Sequence, residues 1–493
     1  MPDNDQPEPL PAEEGVEAPA GSSPAEPEII YESRMSDADA LMWNIEKDPM
    51  LRSTITSVVL IEGELDRGAL RSAIERLTRA VPRLRQRVRG NPYSLAPPRW
   101  EVDPNFDLDY HLRFVAAPGK GSLDDMLRLA EPIAMQGFDR ARPIWECTYV
   151  TGGEDDTSAL IMKIHHSVTD GVGGVQLMLE LFDFDSEPTE RAQPAEPIVE
   201  VLNQTQRFMD ALAHQTRAQG AMASKLARDA ADGARSAISD PMRSVESAGE
   251  MAESVARLLA PAPNPLGPEL QDRSLSCHFD VLRLPLAPMK AAGHAVGGKL
   301  NDAFVAGILL GIRRYHHELG SELEALRMAM PISIRTSDGP STAGNSFVPA
   351  RFQIAADSDD PVDALRETHD RLQEIVHEPA YALVDPLSAL LNRFPTTVTT
   401  GIFGSMMRGL DFQASNVPGS PLPMYLLGRQ VERVVPFGPM AGAATNITLL
   451  SYGSDLNIGI NLDPAAVTDH ELFKRCLDAA YTDVISVGAP PTD

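Results

Sequence analysis

Between Ile161 and Gly173 the chain reads IMKIHHSVTDGVG, a stretch that gathers side chains able to do chemistry: His165, His166 and Asp170, closed by Gly171 and Gly173. Three chemistries compete for them. A metal could be bound by His165, His166 and Asp170, since imidazole and carboxylate are ordinary ligands. If Leu160 to His166 is extended, however, Leu160, Met162, Ile164 and His166 share one face, and Ile161, Lys163 and His165 the other. Both histidines then reach one ion only if the strand breaks there. A Ser–His–Asp arrangement needs a serine nucleophile on an elbow, but no G-x-S-x-G occurs, and Ser167 stands beside the pair without other support. The third chemistry needs a single base. A histidine poised near neutral pH can take the proton of an alcohol as it attacks a thioester. The thioester is already activated, so no covalent enzyme intermediate is required. Asp170 is then best used in an ion pair that fixes the bend, and the glycines let chain or substrate approach closely. Two histidines satisfied in a core are the plain alternative to all three.

The elements around this stretch alternate between strand and helix. Ser53 to Ile61 (STITSVVLI) is rich in β-branched residues and reads as a strand. Leu70, Ile74, Leu77 and Val81 recur at helical spacing and predict an amphipathic helix over Arg67 to Ala80. Arg83-Leu84-Arg85-Gln86-Arg87 follows as a basic knot, either a solvated run or a positioned cluster. A helix near Leu123 to Met135, a strand over Glu146 to Val150 and a helix from Val175 to Phe182 complete the first half. From 185 to 272 Ala, Glu, Arg and Ser dominate with weak apolar periodicity, which predicts a helical linker; contact with a lipid surface is its alternative role. The second half restarts with a strand at His278 to Leu286 and a helix for which Asn301 is a natural N-cap. Strands over Leu326 to Ile334 and Asn345 to Ile354, a hairpin turning at Gly453-Ser454 and a last helix over Asp469 to Ile485 follow.

Composition bounds the rest. The 493 residues, 43% hydrophobic and 23% charged, suffice for two cores. A formal net charge of −27 argues against a nucleic-acid partner, because phosphate binding needs a basic patch. No Lys or Arg precedes Arg34, and residues 1–28 read as a disordered acidic tail without the features of a signal peptide. Cys147, Cys277 and Cys476 lie far apart without metal-type spacing and fit a reducing compartment. No apolar run is long enough to span a bilayer. The expected divisions are 1–28, a first subdomain at 29–184, the linker at 185–272, and a second subdomain at 273–493.

HHSVTDG resembles the HHxxxDG motif of the coenzyme A-dependent acyltransferase superfamily, which includes condensation domains. PIW at Pro143 to Trp145 is similar to the PLW motif of the bacterial wax ester synthase/diacylglycerol acyltransferase family, and LNDAF at Leu300 to Phe304 to its ND motif. MPISIR (Met330 to Arg335), Gly344-Asn345, SNVPG (Ser415 to Gly419) and the hairpin from Asn446 to Ile460 follow in that family's order. The resemblance spans Met35 to the C-terminus. The HHxxxDG motif alone defines the superfamily; the ordered set is more specific.

This resemblance implies an α/β fold of two chloramphenicol-acetyltransferase-like, condensation-domain-like subdomains with a reaction tunnel between them. It implies transfer of a fatty acyl group from acyl-CoA to diacylglycerol or a long-chain alcohol, with no metal and no cofactor beyond acyl-CoA as co-substrate. His166 takes the place of the general base, with His165 supporting. Asn301 would contact the acyl carbonyl or oxyanion, and Asp302 would hold its turn together or face substrate. Asp170 and Gly171 would shape the bend, with Arg85 the first candidate partner of Asp170 and Arg335 the second. Trp145, Asn416 and Gly419 would be structural. The expected place is the cytoplasm, peripherally on the inner membrane face or on lipid inclusions. The family's Met-His pair is missing from Asp48-Pro49-Met50-Leu51-Arg52, which leaves acceptor preference open. Other acceptors (a polyketide hydroxyl, a sugar, an amine) or a non-catalytic lipid-binding role are the competing readings.

Overall fold

The computed structural model describes residues 33–488, apart from 91–95, 169–170, 189–190, 240–261, 263, 334–346, 377–387, 389–390, 393 and 395. The expected tail at 1–28, Asp170, Arg335 and Gly344-Asn345 therefore lie outside the described residues. The first half contributes strands β1 (Thr54–Glu62), β2 (Gln86–Arg89), β3 (Arg99–Val102), β4 (Leu112–Ala116), β5 (Trp145–Thr151) and β6 (Thr157–His165). The second contributes β7 (His278–Pro285), β8 (Ala325–Ser333), β9 (Phe347–Ala355), β10 (Phe412–Val417), β11 (Tyr425–Leu426), β12 (Arg429–Phe437), β13 (Thr445–Tyr452) and β14 (Asp455–Leu462).

They form two six-stranded sheets, ordered β11-β12-β1-β6-β5-β4 and β7-β14-β13-β10-β8-β9, with β2 and β3 a separate ribbon. The pairing of β13 with β14 through Gly453 is the expected hairpin. Helices Arg67–Ala80 and Leu123–Met135 form over the predicted spans, and Asp66 and Ser122 cap them by accepting from Ala69 N–H and Asp125 N–H.

One feature of the sheets was not legible in the sequence. β11 and β12 belong to the second half of the chain, yet they complete the first sheet: β12 runs antiparallel to β1, pairing Thr56 with Phe437 and Val58 with Val435. The uncharged run around Val434 carries Pro436 and Pro439, which disguise a strand. At this crossing the sheets touch closely. Phe437 of the first stacks on Phe279 of the second, ring centroids 3.9 Å apart, and a Cβ on Gly459 would stand 1.7 Å from Pro436 O. Only glycine permits that approach.

The two faces of β6 pack differently. Leu160 and Ile164 join a core with Trp145, Tyr149, Leu70 and Ile74. Ile161 joins one with Val58, Val435, Phe279 and Phe437, between the sheets. Helix Asp37–Ile45 bridges the halves, since its Leu41 and Ile45 pack with Ala329, Met407, Leu410 and Ala443. Arg408 Nη2 donates to Asp48 Oδ2 at 2.8 Å beside it. Among the described residues no single helix is long and apolar enough to cross a membrane. The helices Leu286–Ala295 and Leu300–Glu318 pass such a test only as a pair, bent by 91°, and most of the longer one is buried in the second core.

Candidate active site

β6 delivers the histidine pair, and it ends at His165. The alternation expected through His166 therefore stops one residue short. His166 N–H donates to Ser53 O at 2.8 Å, and Val168 N–H to His165 O at 2.9 Å, so the chain turns at His166. The turn, not the strand pleat, sets that side chain's direction.

His165 is wholly buried and held on both ring nitrogens. Its Nε2 faces Glu46 Oε1 at 3.1 Å. Its Nδ1 accepts from Ser167 N–H at 3.1 Å and lies 2.7 Å from Ser167 Oγ. Trp43 and Phe138 meet the ring edge-on, at centroid separations of 5.6 and 6.3 Å. Glu46 Oε1 also accepts from Ser53 N–H at 2.6 Å. Burial works to raise the Glu46 pKa, but His165, the Ser53 amide and Arg140 together outweigh it and hold the carboxyl below its ordinary range. A charged Glu46 fixes the tautomer of His165 with the proton on Nε2, leaving Nδ1 free to accept from Ser167. One carboxylate thus fastens the residues on both sides of the His166 turn. His166 itself is partly exposed.

Glu46 was not among the expected site residues. It stands at the C-cap of helix Asp37–Ile45, far from the motif in sequence, and no spacing rule connects the two. Lys163 lies within the motif stretch, but its burial was not expected. It is fully buried, donates to Gln136 O at 2.7 Å and lies 4.4 Å over the Phe138 ring. Burial pulls its ammonium down to about 8, against the pull of Glu146.

The PIW segment braces the strand end. Ile144 O accepts from His165 N–H at 3.0 Å, and buried Trp145 donates from Nε1 to Leu84 O at 2.7 Å. His111 stacks on Trp145 at 4.6 Å and bonds its carbonyl through Nδ1 at 2.7 Å. Burial pushes His111 down to about 4, so the folded protein holds it neutral. The sign follows directly: as pH falls from 6.5 toward 4, the unfolded chain takes up a proton that the folded one refuses, and stability drops. His111→Phe should keep the stack and remove about 3 kcal/mol of this acid-side loss. Denaturant titrations at pH 7 and pH 4.5 check it: the parent's loss between them should exceed the variant's.

The basic knot is not a solvated run. Arg83 and Arg85 are buried, and Arg83 lies 4.2 Å over the Trp100 ring. Arg85 donates to Glu75 Oε1 at 2.5 Å and to Thr78 Oγ1 at 3.1 Å, and packs 4.6 Å over Phe106.

On the second half, Asn301 is not the N-cap. The helix Leu300–Glu318 is capped at Lys299, and Asn301 stands one residue inside it, its Nδ2 3.3 Å from Met330 Sδ. Asp302 does the capping by reaching back, with Oδ2 accepting from Lys299 N–H at 2.6 Å and lying 3.3 Å from His369 Nδ1. An acid three residues into a helix is placed to reach back to the cap residue's amide, which Asn301, one position nearer, is not. Gly419 is structural: a Cβ there would stand 1.8 Å from Ser451 O. Asn416 is exposed on β10. A cavity opens where the sheets meet, lined among others by Thr54, Thr56, Met135, Cys277, Phe279 and Asn461. Thr54 and Thr56 pair across the sheet with His165 and Lys163, so the cavity adjoins the His165 end of β6.

Comparison with known proteins agrees with this architecture. The model of the wax ester synthase/diacylglycerol acyltransferase catalytic domain matches residues 35–304, and that of the WS/DGAT C-terminal domain residues 343–484. A Mycobacterium tuberculosis (strain H37Rv) protein whose name assigns it as a diacylglycerol O-acyltransferase is 34% identical over 93% of this chain and 94% of its own length. Another from that strain, named as the diacylglycerol O-acyltransferase tgs1, is 26% identical over 88% and 91%. Among solved structures, the wax ester synthase/diacylglycerol acyltransferase from Marinobacter aquaeolei VT8 superposes with a TM-score of 0.60 at 20% identity, covering 92% of this chain and 100% of that one. The starter condensation domain of rhizomide synthetase, in complex with C8-CoA and Leu-SNAC, shares the fold at a TM-score of 0.56 and 12% identity, over 93% and 95%.

Proposed function

Because the chain belongs to the wax ester synthase/diacylglycerol acyltransferase family and is an acyl-CoA-dependent O-acyltransferase, we propose that it acylates diacylglycerol or a long-chain alcohol with His166 as the general base. The observation that carries this reading is the asymmetry of the two histidines. His165 is sealed between Glu46 and Ser167, whereas His166 sits partly exposed at the turn.

In the proposed step the His166 imidazole takes the proton of the acceptor hydroxyl while its oxygen attacks the thioester carbonyl carbon. The tetrahedral intermediate collapses with cleavage of the C–S bond, and the departing sulfur recovers the proton from His166. Asn301 Nδ2 is a donor suited to the developing oxyanion, released from its weak contact with Met330 Sδ. No step needs a metal or a second cofactor. Exposed Ile198, Val201 and Met209 in the linker region support peripheral contact with the lipid surface where acceptors reside.

Asp170 is proposed to pair with Arg85. Arg85 holds Glu75 and Thr78, but Glu75 keeps Arg79 and Thr78 keeps the Glu75 carbonyl without it, so Arg85→Ala should cost about 1 kcal/mol of stability. A fall in turnover at a temperature where the variant stays folded is the added effect of the Asp170 pair; full turnover there contradicts it. Acceptor choice is tested by following thiol release from acyl-CoA, and product formation, with hexadecanol, diacylglycerol and a panel of sugars, amines and polyketide alcohols. Ester formation confined to the two lipid acceptors supports the proposal, and a preference for a polar acceptor overturns it.

A further inference from the structure

Where β7 meets the last helix, His470–Val487, three groups of metal-ligand type converge: His278, Asp280 and His470 each place one ligand atom within 4.8 Å of the others. His278 and Asp280 share one face of β7, opposite the face whose Cys277 and Phe279 line the cavity. The cluster therefore lies outside the acyl-transfer site. His278 Nε2 stands 3.3 Å from Asp280 Oδ2, and His470 Nδ1 stands 3.9 Å from the same oxygen. The two imidazole rings are 4.0 Å apart, tilted by 44°. Asp280 is 6% exposed, and both its Oδ2 and His470 Nδ1 are sealed from solvent without a well-directed hydrogen bond.

We propose that His278 Nε2, His470 Nδ1 and Asp280 Oδ2 bind one divalent transition-metal ion, zinc fitting best, which fastens β7 to the last helix. The donor set is two borderline nitrogens and one carboxylate, the mixture that zinc accepts in a tetrahedron with a water in the fourth place. Bonds of about 2.0–2.2 Å bring ligand atoms to within about 3.5 Å of one another. The His278–Asp280 pair already meets that, and His470 Nδ1, on a side chain 39% exposed, stands 3.9 Å from Asp280 Oδ2. The surrounding groups are placed to orient the ligands. Glu131 Oε1 lies 3.0 Å from His278 Nδ1 and accepts from Phe279 N–H, so it would hold the Nδ1 proton and present Nε2 to the ion. Lys474 Nζ donates to Asp280 Oδ1 at 2.9 Å and leaves Oδ2 to bind. Glu131 belongs to the helix Leu123–Met135 of the first half, so the bound ion would also brace the joint between halves.

The competing occupant is a proton, which on His278 would satisfy Asp280 and Glu131 together. Metal titration separates the two. Untagged full-length protein, stripped with chelator, is titrated with cobalt(II) by visible absorption and with zinc(II) by calorimetry at pH 8. One equivalent of each is expected, with the intense d–d bands of four-coordinate cobalt and a zinc-dependent rise in melting temperature. His278→Ala and His470→Ala should each weaken binding by about tenfold or more, while His294→Ala, at an exposed histidine elsewhere, should leave it unchanged. Circular dichroism of His470→Ala, at the least buried ligand, verifies that loss of binding is not loss of fold. Failure of the parent to take up an equivalent, or retention of its affinity in a folded His470→Ala, would overturn the proposal.

Discussion

His166→Ala is expected to lower the acyl-transfer rate by about 10²–10⁴-fold, the usual contribution of a positioned general base. The protein should stay folded, because His166 holds its turn through its backbone: its amide donates to Ser53 O, and that bond survives truncation of the side chain. His165→Ala should behave differently. It removes a wholly buried ring that Glu46 and Ser167 both engage, so its first effect is on stability, with the loss of rate following from a displaced turn. Circular dichroism melts run alongside thiol-release assays separate the two patterns. The inverse result, a melting defect in His166→Ala and a rate defect alone in His165→Ala, would exchange their roles.

Glu46→Ala carries the second large effect. It strands the Ser53 amide and the buried His165 ring together, since Oε1 faces both. A cost of about 3 kcal/mol is expected, because removing one partner of a buried charged contact leaves the other uncompensated. The rate should fall about 10²-fold as well, the scale on which a small misplacement of catalytic groups is felt. Glu46→Gln is the instructive comparison. The amide keeps an oxygen for Ser53 N–H but loses the charge that fixes His165, so stability should partly recover while kcat stays lowered more than KM. The sign of the acid response follows from the depressed carboxyl. The ionised group's contribution is fully present above the ordinary Glu value near 4.5 and fades as pH falls through the folded value. A Glu46→Ala protein that melts and turns over like the parent would remove Glu46 from the site.

Much of this site could be read from sequence because its parts are local. An apolar run before two histidines gave β6, helical spacing of Leu70, Ile74 and Leu77 gave the helix behind it, and the ordered motifs carried the family. What stayed hidden depended on contacts between distant segments. Glu46 reaches His165 because the helix Asp37–Ile45 docks on the second half through Leu41 and Ile45, and no local pattern encodes that docking. β12 was obscured by prolines that are tolerated near the end of a strand, next to the sheet crossing at Gly459. Asn301 looked like a cap by residue type, yet the helix begins at Leu300 and Asp302 reaches back to the Lys299 amide. For Arg83 and Arg85 residue type left a solvated run and a positioned cluster equally open; aromatic faces, Glu75 and Thr78 accommodate them inside.

The most direct measurement mixes enzyme rapidly with acyl-CoA, with and without a lipid alcohol, and follows free thiol in the parent and in His166→Ala. Direct transfer by a single base predicts no thiol burst without acceptor, thiol and ester in equal amounts with it, and neither product above background in His166→Ala although acyl-CoA still binds. Thiol release by His166→Ala at the parent's rate, or a stoichiometric burst that leaves acylated protein, would contradict it.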